Sequence, residues 1–123
     1  MNVLCVIPAR SGSKGLKDKN IQLFHGKPLI TYAIRQAKIS KLVNDIVVST
    51  DSKKYSEIAL EAGALVPFLR PKELSVDSTT MEDTLQHALI ETEKKLKKKY
   101  DICVFITCTD IFRNDEYIDS VIK

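Results

Sequence analysis

Arg10-Ser11-Gly12-Ser13-Lys14-Gly15-Leu16-Lys17, followed by Lys19-Asn20, gathers a guanidinium, three ammonium groups, two hydroxyls and two glycines into one short stretch. That set suits phosphate. Glycines let a backbone turn tightly and present its N–H groups, and the cations neutralise several negative charges. The stretch directly follows Val3-Leu4-Cys5-Val6-Ile7, an apolar, largely β-branched run that reads as a buried parallel strand. A nucleoside triphosphate site at the carboxyl end of the first strand is the functional reading. A solvated Gly/Ser/Lys loop is the plainer one, and the strand placement and compact cation set favour the first. The string is not a Walker A motif, and Gly12 and Gly15 do not fit Gly-x-Gly-x-x-Gly.

The elements that must position this loop alternate strand and helix. Pro28 can open a helix at its first turn, with Ile30, Ala33, Ile34 and Ala37 at helical spacing. Residues 45–51 read as a second strand, and Tyr55, Ile58, Ala59 and Ala62 as the next helical stripe, with Gly63 placed to cap it. Leu65-Val66-Pro67-Phe68 is a short or edge strand. A further helix starts near residues 78–80, where Thr79 and Glu82 have capping-box spacing; Met81, Leu85, Ala88, Leu89 and Leu96 mark its buried face, and His87 falls on its polar side. Residues 102–107 form another buried strand, and Asn114-Asp115-Glu116 can start a last helix. Repeated βα units predict an α/β fold: a mostly parallel open sheet with helices on both faces. Ligands bind beyond the carboxyl ends of such strands. One edge therefore collects residues 10–20, Ser49-Thr50-Asp51 and residues 107–113.

The 123 residues, 44% apolar, fit one domain able to bury a core. There is no apolar run long enough for a membrane span and no signal peptide, and the three cysteines (5, 103 and 108) do not form a disulfide framework. A cytoplasmic protein is expected. The net charge of +3 depends on five lysines within residues 94–99; without them 14 basic residues face 16 acidic ones. That run reads as a solvated helix end in favourable contact with the dipole. Lacking interleaved aromatics, it is not a nucleic-acid patch. The chain stops at Lys123 inside a helical pattern, which suggests a fragment.

With these residues placed, the chain resembles the N-terminal half of the acylneuraminate cytidylyltransferase family. The matching strings are residues 7–15, Lys19-Asn20, Gly26-Lys27-Pro28-Leu29-Ile30, Val48-Ser49-Thr50-Asp51-Ser52, and Phe68-Leu69-Arg70-Pro71-Lys72-Glu73-Leu74 with Asp77, in the family's order over nearly the whole chain. The resemblance implies a Rossmann-like nucleotidyltransferase fold, with residues 1–123 as the N-terminal part of a single domain. It implies transfer of CMP from CTP to a nonulosonic, sialic-type sugar acid with release of pyrophosphate, aided by Mg2+. It further implies a homodimer at full length and little turnover from these residues alone. No nucleic-acid or membrane partner is expected.

Roles follow by resemblance. Arg10, Ser11, Gly12, Ser13, Lys14 and Lys19 would hold the triphosphate, with Arg10 and Lys19 catalytic; Asn20, Arg70, Thr79 and Thr80 would complete the nucleotide pocket. Arg70 otherwise reads as a surface partner of Glu73, and the threonines as helix caps. Asp51 is a candidate metal contact or a cap. The family's usual Gln-Pro-Thr-Ser-Pro-Leu-Arg is replaced here by Thr107-Cys108-Thr109-Asp110-Ile111-Phe112-Arg113. Thr107, Asp110 and Arg113 become the sugar-binding candidates, with Asp110 also a candidate for the metal, as in the related deoxy-octulosonate cytidylyltransferases. The departure argues mildly against plain sialic acid. Legionaminic or pseudaminic acid, a deoxy-octulosonate, or a non-catalytic nucleotide-binding or assembly module on the same fold remain alternatives.

Overall fold

The computed structural model describes residues 2–9, 23–24, 26–71 and 80–106. In chain order the elements are β1 (Val3–Pro8), β2 (Leu23–Phe24), β3 (Lys27–Pro28), α1 (Leu29–Ile39), β4 (Asp45–Ser49), α2 (Lys53–Glu61), α3 (Met81–Leu96) and β5 (Ile102–Phe105). Strand β1 is central in a parallel sheet of order β4-β1-β5. Cys5 pairs with Ile46 on one side and Val104 on the other. A parallel bridge between Leu65 and Val47 adds a rudimentary strand outside β4, held by Val48 N–H to the Leu65 carbonyl at 3.0 Å and Leu65 N–H to that of Ile46 at 2.8 Å. Pro67 comes just after it, as proline at a strand end requires.

The pleat divides the core. Cys5 and Ile7 of β1, with Val48, meet Ile30, Ala33, Ile34 and Ala37 of α1 and Tyr55 and Ala59 of α2. Leu4, Val6 and Val47 point the other way, toward Phe68 and toward Ala88 of α3. Helices therefore cover both faces, as expected. Val3 to Ile7 are fully buried, and each such side chain contributes about 1.5–3 kcal/mol. The chain runs from β1 outward to β4 and Leu65, then returns across β1 to β5. The reversal creates a switch point between β1 and β5 at the carboxyl edge of the sheet.

Several local expectations are revised. Pro28 ends β3 and is the N-cap of α1, not its first helical residue. The short β2–β3 hairpin, with Gly26 at φ +82°, had no sequence signal strong enough to announce it. Gly63, at φ +97°, does follow the α2 C-cap, Ala62, in the left-handed conformation expected. Helix α3 is capped by Thr80, whose Oγ1 accepts from Asp83 N–H at 3.0 Å, so the N-cap falls one residue after the Thr79 of the expected capping box. Leu96 is 37% exposed, and Thr84 and Thr92 are buried instead. His87, assigned to the polar side of the helix, meets Phe68 edge-on with ring centres 5.0 Å apart. The lysine run closes α3 only in part, since Lys97 already lies beyond it at φ 53°.

Candidate functional site

The carboxyl edge of the sheet is assembled around Ser49, the last residue of β4. Its carbonyl accepts Ala9 N–H at 2.9 Å, and Ala9 is the residue that precedes Arg10. The same carbonyl accepts Arg70 Nη2 at 2.9 Å. The backbone N–H of Arg70 donates to the Thr50 carbonyl at 2.7 Å, so both ends of this residue are anchored to the β4 exit. A longer contact, 3.4 Å, joins Arg70 Nη1 to Thr84 Oγ1 on α3, and that hydroxyl donates to the Thr80 carbonyl at 3.2 Å. On the β5 side, Ile106 N–H donates to the Val6 carbonyl at 3.2 Å, which carries the strand pairing up to the residue before Thr107.

Two helices begin at this edge. Ser52 Oγ accepts Tyr55 N–H at 3.2 Å and caps α2, while its own N–H donates to Thr50 Oγ1 at 3.1 Å. Thr80 caps α3. Capping aligns the first-turn N–H groups, and the dipoles add partial positive charge where an anion would sit.

Of the residues singled out by sequence, Asp51, Arg70 and Thr80 are described and share this edge. Arg10, Ser11, Gly12, Ser13, Lys14, Lys19, Asn20, Thr79, Thr107, Asp110 and Arg113 lie outside the described residues. Arg70 is 6% exposed and so is not a surface cation, while the suggested partner Glu73 lies outside the described residues. Asp51 is half-buried at the bend after β4, and the capping role belongs to its neighbour Ser52. Thr80 is exposed and its hydroxyl serves the helix. Among the described residues no group of three His, Cys, Asp or Glu side chains is arranged to hold a metal ion. The Asp51 carboxylate is compatible with Mg2+, which is commonly held by one or two carboxylates, substrate phosphates and retained waters.

Sequence reasoning placed Ser49 on this edge only as part of a polar strand exit, and it missed Thr84. Thr84 lies one turn after Thr80 and could have been suspected of sharing its face. Nothing in spacing links Arg70 to Ser49, 21 residues earlier. Cys103 behaves as a structural thiol: burial, and then the charge of Glu93, push its pKa up, which disfavours the nucleophilic thiolate.

A parallel sheet with this reversal, polar exits and capped helix starts on one edge is a doubly wound α/β domain with its binding edge at the carboxyl ends of the strands. The sequence profile of the cytidylyltransferase family matches residues 4–122. The chain belongs to that family. It is 38% identical over 123 residues to CMP-N,N'-diacetyllegionaminic acid synthase of Legionella pneumophila, covering all of this chain and 53% of that one. Over 95 residues it is 48% identical to an N-acylneuraminate cytidylyltransferase of Streptococcus agalactiae serotype V, covering 76% of this chain and 23% of the relative. The solved structure of CMP:2-keto-3-deoxy-manno-octonic acid synthetase complexed with CTP superposes with a TM-score of 0.80 at 21% identity, over 99% of this chain and 46% of that one. That likeness establishes the nucleotidyltransferase fold. The chain spans about half the length of the legionaminic relative, and less of the other. No helix among the described residues is long and apolar enough to cross a membrane.

Proposed function

We propose that these residues form the nucleotide-binding part of an enzyme that transfers CMP from CTP to a nonulosonic, sialic-type acid. The observation that carries this is the bond from Ala9 N–H to the Ser49 carbonyl at the carboxyl edge of the sheet, because the cation-rich stretch from Arg10 to Asn20 follows Ala9 directly in sequence and such sheets bind ligands beyond that edge. The sugar-acid hydroxyl attacks the α-phosphorus, a new O–P bond forms, and the bond to the bridging oxygen breaks as pyrophosphate leaves. Negative charge grows on that leaving group. Arg10, Lys14 and Lys19, with the N–H groups of Ser11, Gly12 and Ser13, stabilise it, and preorganised donors of this kind are the main lever in such transfers. Asn20 offers a donor and an acceptor to the cytosine edge. Arg70, Thr79 and Thr80 belong to the nucleotide pocket.

Thr107, Asp110 and Arg113 take the sugar acid, with the Arg113 fork matched to a carboxylate. Asp51 and Asp110 are the candidate Mg2+ contacts, and the ion, when bound, supplies charge neutralisation on the phosphates. The acid is of the neuraminic, legionaminic or pseudaminic type, with a deoxy-octulosonate as the variant reading. The enzyme works in the cytoplasm as a homodimer. The alternative is a nucleotide-binding module without turnover on the same fold.

Isothermal titration of the chain with CTP and Mg2+, against ATP, GTP and UTP, tests the proposal. Selective CTP binding is expected. Equal binding of all four overturns the cytidine assignment, and no binding by a folded chain overturns the nucleotide site. Pyrophosphate release from CTP with each sugar acid then separates enzyme from module.

A further inference from the structure

We infer that Arg70 and Thr84 are positioning residues that hold the backbone from which the glycine-rich loop departs. The functional consequence rests on the nucleotide role proposed for that loop, while the structural claim does not. The Ser49 carbonyl receives the Ala9 amide and the Arg70 guanidinium together, each at 2.9 Å. Ala9 and Ser49 are fully buried, and Thr84 and Arg70 are 4% and 6% exposed. A charge-assisted hydrogen bond in such surroundings is strong, and water does not readily replace it.

The geometry also explains why an arginine stands here. The backbone N–H of Arg70 on the Thr50 carbonyl sets where its side chain starts. One arm of the planar fork then reaches β4 and the other reaches α3. A lysine ammonium is a point charge on a flexible stem and lacks that fork. Thr84 aims the second arm. Its hydroxyl proton is directed at the Thr80 carbonyl, which turns a lone pair toward Arg70 Nη1. Three segments are thereby tied at one point: the β1 exit, the β4 exit and the first turn of α3. A residue that only touched nucleotide would have no need of Thr84.

The test is amide hydrogen exchange by NMR on the 15N-labelled protein, comparing Thr84→Val, Thr84→Ser and Arg70→Lys with wild type. Valine keeps the shape of threonine and removes the hydroxyl. The Ala9 amide should exchange about two- to tenfold faster in Thr84→Val, the range expected for loss of one hydrogen bond's support, and faster still in Arg70→Lys. Thr84→Ser should restore it. The Leu65 amide, which bonds to Ile46 at the far side of β4, should be unchanged. Unchanged Ala9 exchange in both Thr84→Val and Arg70→Lys overturns the inference. Equal acceleration at Ala9 and Leu65 overturns it as well, since that is general loosening. CTP titration of the same variants is read separately: failure of wild type to bind defeats the nucleotide reading and leaves the exchange result standing.

Discussion

Replacing Tyr100 by phenylalanine should destabilise the protein by about 1 kcal/mol and leave nucleotide binding unchanged. Tyr100 belongs to the edge opposite the candidate site. Asp45, the first residue of β4, accepts the Tyr100 hydroxyl at 2.6 Å and Lys98 Nζ at 2.7 Å on the same carboxylate oxygen. The ammonium also lies 5.5 Å from the centre of the Tyr100 ring. The side chains of Asp45 and Lys98 are 20% and 34% exposed. A hydrogen bond to a charged group contributes ~1.5–3 kcal/mol. Water reaching the carboxylate replaces part of this, which reduces the expected loss to about 1 kcal/mol. For a chain of this size that is roughly 3–5 °C in Tm.

The loss should depend on pH. Burial alone would raise the Asp45 pKa, but hydrogen bonds from Lys98 and Tyr100, with the Lys98 charge, outweigh it and hold it below the ordinary value. A carboxyl depressed in the fold stabilises above its unfolded pKa, about 4, and that contribution disappears as pH falls through the folded value. Urea unfolding should therefore show a larger cost for Tyr100→Phe at pH 7 than at pH 3. The Tyr100 hydroxyl stays protonated throughout, since burial, then the Asp45 bond, push its pKa far up. A cost independent of pH, or a change in CTP affinity comparable to Arg70→Lys, would refute the assignment of separate roles to the two edges.

Two other predictions concern the carboxyl edge. Lys19→Ala should weaken CTP binding at least tenfold while shifting Tm by no more than about 1 °C, because a loop lysine carries little folding energy; parallel titration and thermal unfolding check this, and equal losses would make Lys19 structural. Thr80→Ala should cost about 1 kcal/mol through loss of the α3 cap, whereas Thr80→Ser should retain most of it, as measured by urea midpoints.

The alternation of apolar runs and helical stripes made the α/β class legible, because short continuous apolar runs and a period of 3.6 are written directly into residue order. The buried face of α1, with Ile30, Ala33, Ile34 and Ala37, and the turn at Gly63 followed from the same local rules. The cation-rich stretch that begins at Arg10 is read from composition and spacing alone and lies outside the described residues. The resemblance to cytidylyltransferases, also readable without coordinates, agrees with the family match over residues 4–122.

Tertiary structure decided what depends on contacts between distant segments. Leu96 has the helical period of a core residue but stays 37% exposed, while Thr84 and Thr92 of the same helix are buried. His87 fell on the polar side of the helix by pattern, yet Phe68 arrives from another segment to cover it. Arg70 looked like a surface cation in a polar stretch. It is buried because the sheet order brings the ends of β1 and β4 and the start of α3 together, where one guanidinium bridges Ser49 and Thr84. Local residue order specifies which segments become strands, helices and polar turns. Which of those turns share an edge, and which charge is taken inside to hold them, is set by the parallel order β4-β1-β5 and by the packing of α3 across it.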